Sequence, residues 1–353
     1  MATSKGERWL VLAMVLVVAT NACSGGSSQQ STVTQAEPLA TDADGSNDSE
    51  GEPGPVTILG TAMPEDATVL DLSSADSAVL QPSRVVYEQD LNKGEFGLGA
   101  DFETGEVPSG FGVDEHGVVH IVDPLNERVV LVAADGLLSA VPFPEELMGA
   151  AVTAFDVAPD GTEFAATLDG IVVIRDGGTL AAHTYDALGD TAIQLELRSD
   201  AHGLYFLSGS GVWTRQLDSN GQLVAAGERK RASDGALVNV STTGGQPVVQ
   251  IVGAAGSRLF RVEGEPLASA VYLVDVMSTG DVVMLLQSDP TKGDNTQIAV
   301  IHTDGSYEHW RVVLPSGGSP LENGWYMRFA NDRIYMEVGT VSTVSVYEFD
   351  LVP

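Results

Sequence analysis

Residues 108–136 read PSGFGVDEHGVVHIVDPLNERVVLVAADG. Three short apolar runs stand in this stretch, around Phe111–Val113, Val118–Val122 and Val129–Ala133, and the clusters DEHG and PLNE separate them. Val, Ile and Phe fit a pleated, half-buried surface, while Gly, Asp, Asn and Pro supply the backbone angles of tight turns. No apolar run is long enough, or spaced at 3.6 residues, to form an amphipathic helix. The stretch therefore reads as consecutive strands joined by turns.

The same grammar recurs along the chain, in FAATLDGIVVIRD, LYFLSGSGVWTRQL, VVQIVGAAGSRLFRV, QIAVIHTDG and RIYMEVGTVSTVSVYEFDL. Helix is confined to short pieces such as Glu145–Met148. The turn residue after the first strand of each unit keeps a period: Gly117, Gly161, Gly203, Gly245, Gly280 and Asp332 lie 44, 42, 42, 35 and 52 residues apart. An all-β repeat of roughly 40–50 residues points to propeller blades, each too small to bury its faces alone. Six anchors predict an all-β, six-bladed β-propeller over residues 56–353. The last blade draws three strands from Trp325 onward and its fourth from the N-terminal side, with Arg84–Asp90 as the candidate. A seven-bladed ring, with residues 56–106 as the extra blade, is the alternative. A pair of β-sandwiches predicts a less even period.

The chain has 353 residues, with 17 Lys and Arg against 49 Asp and Glu, a net charge of −32. Such a chain repels phosphate backbones, so nucleic-acid binding is excluded as a function class. Hydrophobic residues make up 43%, enough for a large core. Residues 1–22 have the order of an export signal: Lys5 and Arg8, an apolar run from Trp9 to Ala19, then Thr20-Asn21-Ala22. Eleven apolar residues are too few to span a bilayer core, which takes about 20. The sole cysteine, Cys23, stands at the cleavage point. Residues 23–55 turn abruptly to Ser, Gly, Gln, Asp, Glu and Pro, and they read as a flexible acidic tether with a reach of about 30 Å. Asp42, Asp44 and Asp48 lack the EF-hand glycine, since position six of that loop is Asn47.

The signal and Cys23 resemble a bacterial lipoprotein leader, although the third residue before the cysteine is Thr20 where Leu is favoured. The resemblance implies acylation of Cys23 and a cell-envelope protein held on the outer face of a bacterial membrane. An ordinary signal cut after Ala22 makes the protein secreted instead. Pro108–Gly136 resembles an NHL-type repeat, with Asp114, Gly117, Asp123, Asn126, Arg128, Val129, Asp135 and Gly136 at pattern positions and His120 where Tyr is preferred. That implies the six-bladed propeller superfamily of NHL repeats, TolB-like domains and SMP-30/gluconolactonase-like lactonases.

Counting back from each turn anchor, the innermost strands place Gly112, Asp156, Glu196, Asn239, Asp275 and Met327 toward the axis, with Arg328 one residue off the row. Asp156, Glu196, Asn239 and Asp275 are the candidate ligand or metal residues, and such oxygen donors suit Ca²⁺ or another divalent cation. The set is similar to the metal site of the SMP-30-like lactonases, where a metal polarises a carbonyl. No motif demands a cofactor. The six histidines form no ligand cluster and read as surface or turn residues, and the Gly94–Gly99 run GEFGLG reads as a loop. Asp289 and Asp294 form a hairpin-tip cluster, and Arg229–Arg231 form a basic island. Three functions remain: a membrane-anchored binding or scaffolding module for an extracytoplasmic protein, glycan or small molecule, a metal-dependent hydrolase, and a purely structural envelope protein.

Overall fold

The computed structural model describes residues 67–71, 78–100, 110–188, 197–207, 213–224 and 237–351, with short omissions at 244–245, 254–255, 264–267, 278, 289–295, 314–318, 321–326 and 340–341. The signal, Cys23, the tether, Glu196, Asp289, Asp294 and Arg229–Arg231 lie outside the described residues. Residues 55–353 form one compact unit.

That unit is a six-bladed β-propeller. Three N-terminal strands come first: β1 (Thr68–Asp71), β2 (Ala78–Leu80) and β3 (Arg84–Asp90). Blade 1 follows with β4 (Phe111–Val113), β5 (Val119–Asp123), β6 (Arg128–Val132) and β7 (Leu138–Pro142). Blade 2 comprises β8 (Val152–Val157), β9 (Glu163–Thr167), β10 (Gly170–Arg175) and β11 (Gly178–Thr184). Blade 3 comprises β12 (Leu197–Asp200), β13 (Gly203–Leu207) and β14 (Trp213–Asp218). Blade 4 contains β15 (Leu237–Thr243), β16 (Gln246–Gly253) and β17 (Gly256–Glu263). Blade 5 contains β18 (Ala268–Val276), β19 (Val282–Ser288), β20 (Thr296–Ile301) and β21 (Tyr307–Val312). Blade 6 contains β22 (Ser319–Pro320), β23 (Met327–Ala330), β24 (Arg333–Gly339) and β25 (Thr343–Asp350). Glu145–Leu147 is a single 3₁₀ turn.

Within each blade successive strands pair antiparallel, except that β22 and β23 of blade 6 both pair with β24. The innermost strands pack in sequence, β4 on β8, β8 on β12, β15 on β18 and β18 on β23, and β23 returns to β4. The last contact closes the ring. β3 pairs antiparallel with β25, so the N-terminal side completes blade 6 with Arg84–Asp90 as the sequence predicts.

The seven-blade alternative fails at residues 56–106. Instead of a blade, this region supplies rim strands. β1 lies parallel to β17 and completes blade 4, β2 lies parallel to β21 on the rim of blade 5, and β3 seals blade 6. Each of the first two strands buries one large side chain, Leu70 and Leu80. Burying a leucine stabilises by about 1.5–3 kcal/mol, which suffices to hold a strand but not to build a blade.

The period of the turns has a backbone cause. Gly117 and Gly280 adopt φ of +75° and +86°, a region open to glycine at no steric cost. Asp114 accepts bonds from the His116 and Val118 amides at 2.9 and 2.8 Å, which folds the chain back at that turn. In blade 6 the turn uses Asn331 and Asp332 instead, both at positive φ, residue types whose short side chains tolerate this region.

Strands in a propeller are covered on both faces, so they read as continuous apolar runs. Val119–Asp123, Glu163–Thr167 and most of Arg333–Gly339 are buried at every position. Alternate side chains serve opposite interfaces: Ile334, Met336 and Val338 enter the blade 5–6 core, while Tyr335 joins the blade 6–1 core with Tyr87, Phe111 and Val346. Blades 1 and 2 approach so closely that a Cβ on Gly112 would sit 2.5 Å from Val157.

The NHL-like residues of blade 1 form a clasp. Asp123 is fully buried and accepts bonds from the Gly99 amide (2.8 Å), Asn126 Nδ2 (2.9 Å) and Arg128 Nε (2.8 Å). Arg128 also donates to the carbonyls of Glu95 and Gly97. The GEFGLG loop is thereby tied to blade 1, and Gly99 leaves room for Leu125, which a Cβ would meet at 2.6 Å.

Candidate functional site

Five of the inner strands, β4, β8, β12, β18 and β23, meet in a small polar recess lined by Val113, Asp156, Val157, Arg198, Ser199, Asp275, Arg328 and Phe329. It has room for about one water molecule. Asp156, on β8, is 3% exposed. Its Oδ1 lies 2.6 Å from Arg328 Nε, and its Oδ2 accepts from the Ser199 amide at 2.5 Å and the Ser199 hydroxyl at 2.9 Å. Arg328, on β23, further donates to the carbonyls of Phe155 (2.7 Å) and Met327 (2.9 Å), and its guanidinium lies 5.6 Å from the Phe111 ring centroid. Arg198, on β12, is buried and donates to the Leu197 carbonyl. Through this network one buried ion pair ties together blades 1, 2, 3 and 6. Breaking a buried pair leaves an uncompensated charge, so the pair is expensive to open.

Asp156 and Asp275 both line the recess, as their place in the sequence row implies. Asn239 sits in β15 opposite Gln250, and its side chain lies outside the described residues, as does all of Glu196. In blade 6 the row is displaced by one: Met327 belongs to the blade 5–6 core and Arg328 reaches the axis. Arg198 and Ser199 are additions to the sequence reading. The signal for Arg198 is its position five residues before Gly203, the same interval that separates Asp156 from Gly161 and Asp275 from Gly280.

The described residues do not suit a divalent cation. A guanidinium occupies the position beside Asp156 that a metal would need, and a second lines the same recess. Among the described residues no group of three His, Cys, Asp or Glu is placed to hold a metal. What the recess offers is paired charge at the hub, suited to locking the inner strands in register.

A second polar cluster lies between blades 1 and 2. His120 is buried, which corrects its reading as a surface or turn residue. Its Nδ1 lies 2.7 Å from Glu163 Oε1, and its Nε2 lies 3.7 Å from Asp114 Oδ2. Burial disfavours the imidazolium, but the attraction of Asp114 and Glu163 and the bond to Glu163 outweigh it and raise its pKa to about 9. Burial likewise pushes the Asp114 carboxyl up, yet the nearby His120 imidazolium and the bonds from the Val118 and His116 amides hold it below the usual range. The motif position that prefers Tyr thus carries a charged bridge between blades.

No protein-family model matches the chain, and no curated protein matches it. Among solved structures it is similar to a virginiamycin B lyase from Staphylococcus aureus, at 14% identity and a TM-score of 0.43, over 74% of this chain and 99% of that one. It is similar to a gluconolactonase from Xanthomonas campestris at 14% identity and a TM-score of 0.40, over 68% and 85% of the two chains. It is also similar to regucalcin, a calcium-binding protein from Agrobacterium tumefaciens, at 12% identity and a TM-score of 0.43, over 78% and 97%. No family membership follows. The six sheets rest on their own strand pairings, and none of these likenesses transfers an activity.

Proposed function

We propose that this protein is an exported, lipid-anchored propeller that serves as a binding or scaffolding module outside the cytoplasm. The observation that supports a binding role over a hydrolytic one is the Asp156–Arg328 pair at 2.6 Å, which neutralises the axial carboxylate and fills the hub with protein groups. A module of this kind presents its rims and outer strands to a partner, and a locked hub keeps them rigid. The anchor is argued from Lys5, Arg8, the Trp9–Ala19 run and Cys23, and a two-chain lipid on that cysteine would hold the protein durably. An acidic body does not seek an anionic membrane by itself.

The test is acylation in a bacterial host fed an alkyne-bearing fatty acid. The wild-type chain is expected to take the label and enter the detergent phase, while Cys23→Ser stays unlabelled and enters the aqueous phase. An intact N-terminus without modification, seen by mass spectrometry of membrane-extracted protein, overturns the anchor.

The second reading is a metal-dependent hydrolase similar to the gluconolactonases. It is favoured by Asp156 and Asp275 sharing one recess. On that reading a cation displaces Arg328 from Asp156 and is held with Asp275, Glu196 and Asn239.

A further inference from the structure

Arg328 bonds Asp156 across the hub, and a second buried carboxyl stands near it on its own blade. Arg328 pairs with Tyr335 across β23 and β24, and Glu337 lies two residues beyond Tyr335 on β24. Paired residues of neighbouring strands, and residues two apart on one strand, share a face of the sheet. Arg328, Tyr335 and Glu337 therefore all leave blade 6 on the side toward blade 1, where Tyr335, Tyr87, Val346 and Phe111 form the seam core. Diagonal neighbours of this kind stand about 7–8 Å apart, within reach of a long side chain. We propose that Arg328 is shared between two carboxyl groups, Asp156 at the hub and Glu337 at the seam, and that the proton on Glu337 sets which of them holds the guanidinium.

Three observations carry the proposal. The first is that Glu337 is fully buried and neither of its oxygens has a hydrogen-bond partner. A neutral carboxyl survives there, but an unpaired buried charge costs far more than an unpaired polar group. Burial accordingly holds its pKa up, at about 8, and Arg328 is the cation that pulls against that rise. The second is that the other groups on this face supply no substitute cation. Glu348, opposite Tyr335 on β25, is itself a carboxylate and is bonded by Arg84 and Arg333. Tyr335 and Tyr87 are phenols that burial pushes further from ionising, and the Tyr87 hydroxyl donates to the Phe96 carbonyl. Beyond Tyr87, Arg128 is bonded to Asp123.

The third observation is that the two ties differ in what they join. Asp156 lies on β8, so its bond to Arg328 links blade 2 to blade 6, as does the bond from Arg328 to the Phe155 carbonyl. Glu337 lies on β24, beside β23, so a bond to it stays inside blade 6. Ionisation releases one proton to solvent and exchanges the tie between blades for one within a blade. Asp156 then keeps its two bonds from Ser199, while blade 2 loses its direct hold on blade 6. The hub is locked at neutral pH and released above about pH 8. The proposal goes beyond the binding role and stands without the lipid anchor.

The test follows the Arg328 Nε–H group by NMR in the full chain labelled with nitrogen-15 arginine, the signal being assigned by its loss in Arg328→Lys. Between pH 6 and pH 9 the wild-type signal is expected to move with a midpoint near pH 8. Its protection from solvent exchange, corrected for base catalysis, is expected to fall about tenfold over the same step. Glu337→Gln keeps the shape and removes the proton, so its signal is expected to hold the low-pH position and full protection throughout. His120 also titrates high, and this variant separates the two groups. Asp156→Asn weakens the hold of the hub, so the midpoint is expected to drop. A wild-type signal that stays in place overturns the proposal, as does a movement that persists in Glu337→Gln. A movement with protection intact overturns it too, because the guanidinium has then felt a new charge without leaving Asp156.

Discussion

Replacing Arg328 by Met is expected to destabilise the propeller by about 3–5 kcal/mol, a fall in melting temperature of about 10 °C. The methionine keeps the apolar bulk beside Phe111 but leaves the Asp156 carboxylate, 3% exposed, with only the two Ser199 bonds. The guanidinium also bonds the carbonyls of Phe155 and Met327, so two further buried acceptors lose a donor. Asp156→Asn in the same background is expected to recover part of the loss, because an amide oxygen still accepts from Ser199 and no net charge is left buried. A urea-melt cycle over the two single variants and the double checks this. Additive losses would mean that the two groups do not act as a pair.

Glu337→Gln is expected to stabilise the protein at pH 8, by about 4 kcal/mol, and to leave it unchanged near pH 4. Glu337 lies on β24, opposite Val346, which in turn opposes Tyr87, on the face toward blade 1. It is fully buried, and neither carboxyl oxygen has a hydrogen-bond partner. Burial raises its pKa to about 8 against a weaker downward pull from Arg328. The folded protein therefore binds this proton more tightly than the unfolded chain, in which the group titrates near 4.5. Below that value the group costs nothing extra. As the pH rises from 4.5 toward 8 the unfolded chain releases its proton first, and stability falls. Gln removes the titration and keeps the shape, so its advantage grows across that window. Urea melts at pH 4 and pH 8 measure it, and an equal effect at both values would contradict the account. The two predictions are linked, since Arg328→Met removes the attraction that restrains Glu337.

Much of the fold is legible because the turn after the inner strand of blades 1, 2, 3 and 5 selects Gly at positive φ. Gly117, Gly161, Gly203 and Gly280 all adopt it, and so the period survives while strand residues vary. Ring closure by RVVYEQD is legible for a similar reason: seven residues of strand character stood unclaimed where blade 6 lacked one. β1 and β2 are not legible, because four or three residues with one buried leucine look like any loop. Length alone then suggests a seventh blade.

At the axis, Asp156 and Asp275 follow from a constant five-residue offset to the turn glycine. Blade 6 breaks the offset because its turn uses Asn331-Asp332, which moves the anchor and puts Arg328 where Met327 was expected. His120 and Glu337 carry no local signal. Each lies in an apolar strand run, and what decides their state is a carboxylate on either side, Asp114 of its own blade and Glu163 of the next, in one case and the absence of any partner in the other.

The central claim is that a protein-supplied guanidinium, rather than a metal ion, completes the hub. Thermal melting of the metal-stripped chain across a calcium titration tests it most directly. The account predicts no rise in melting temperature from micromolar to millimolar calcium, in the wild type and in Asp275→Ala alike. A saturable rise in the wild type that Asp275→Ala abolishes would contradict it, and would place a metal where Arg328 now sits.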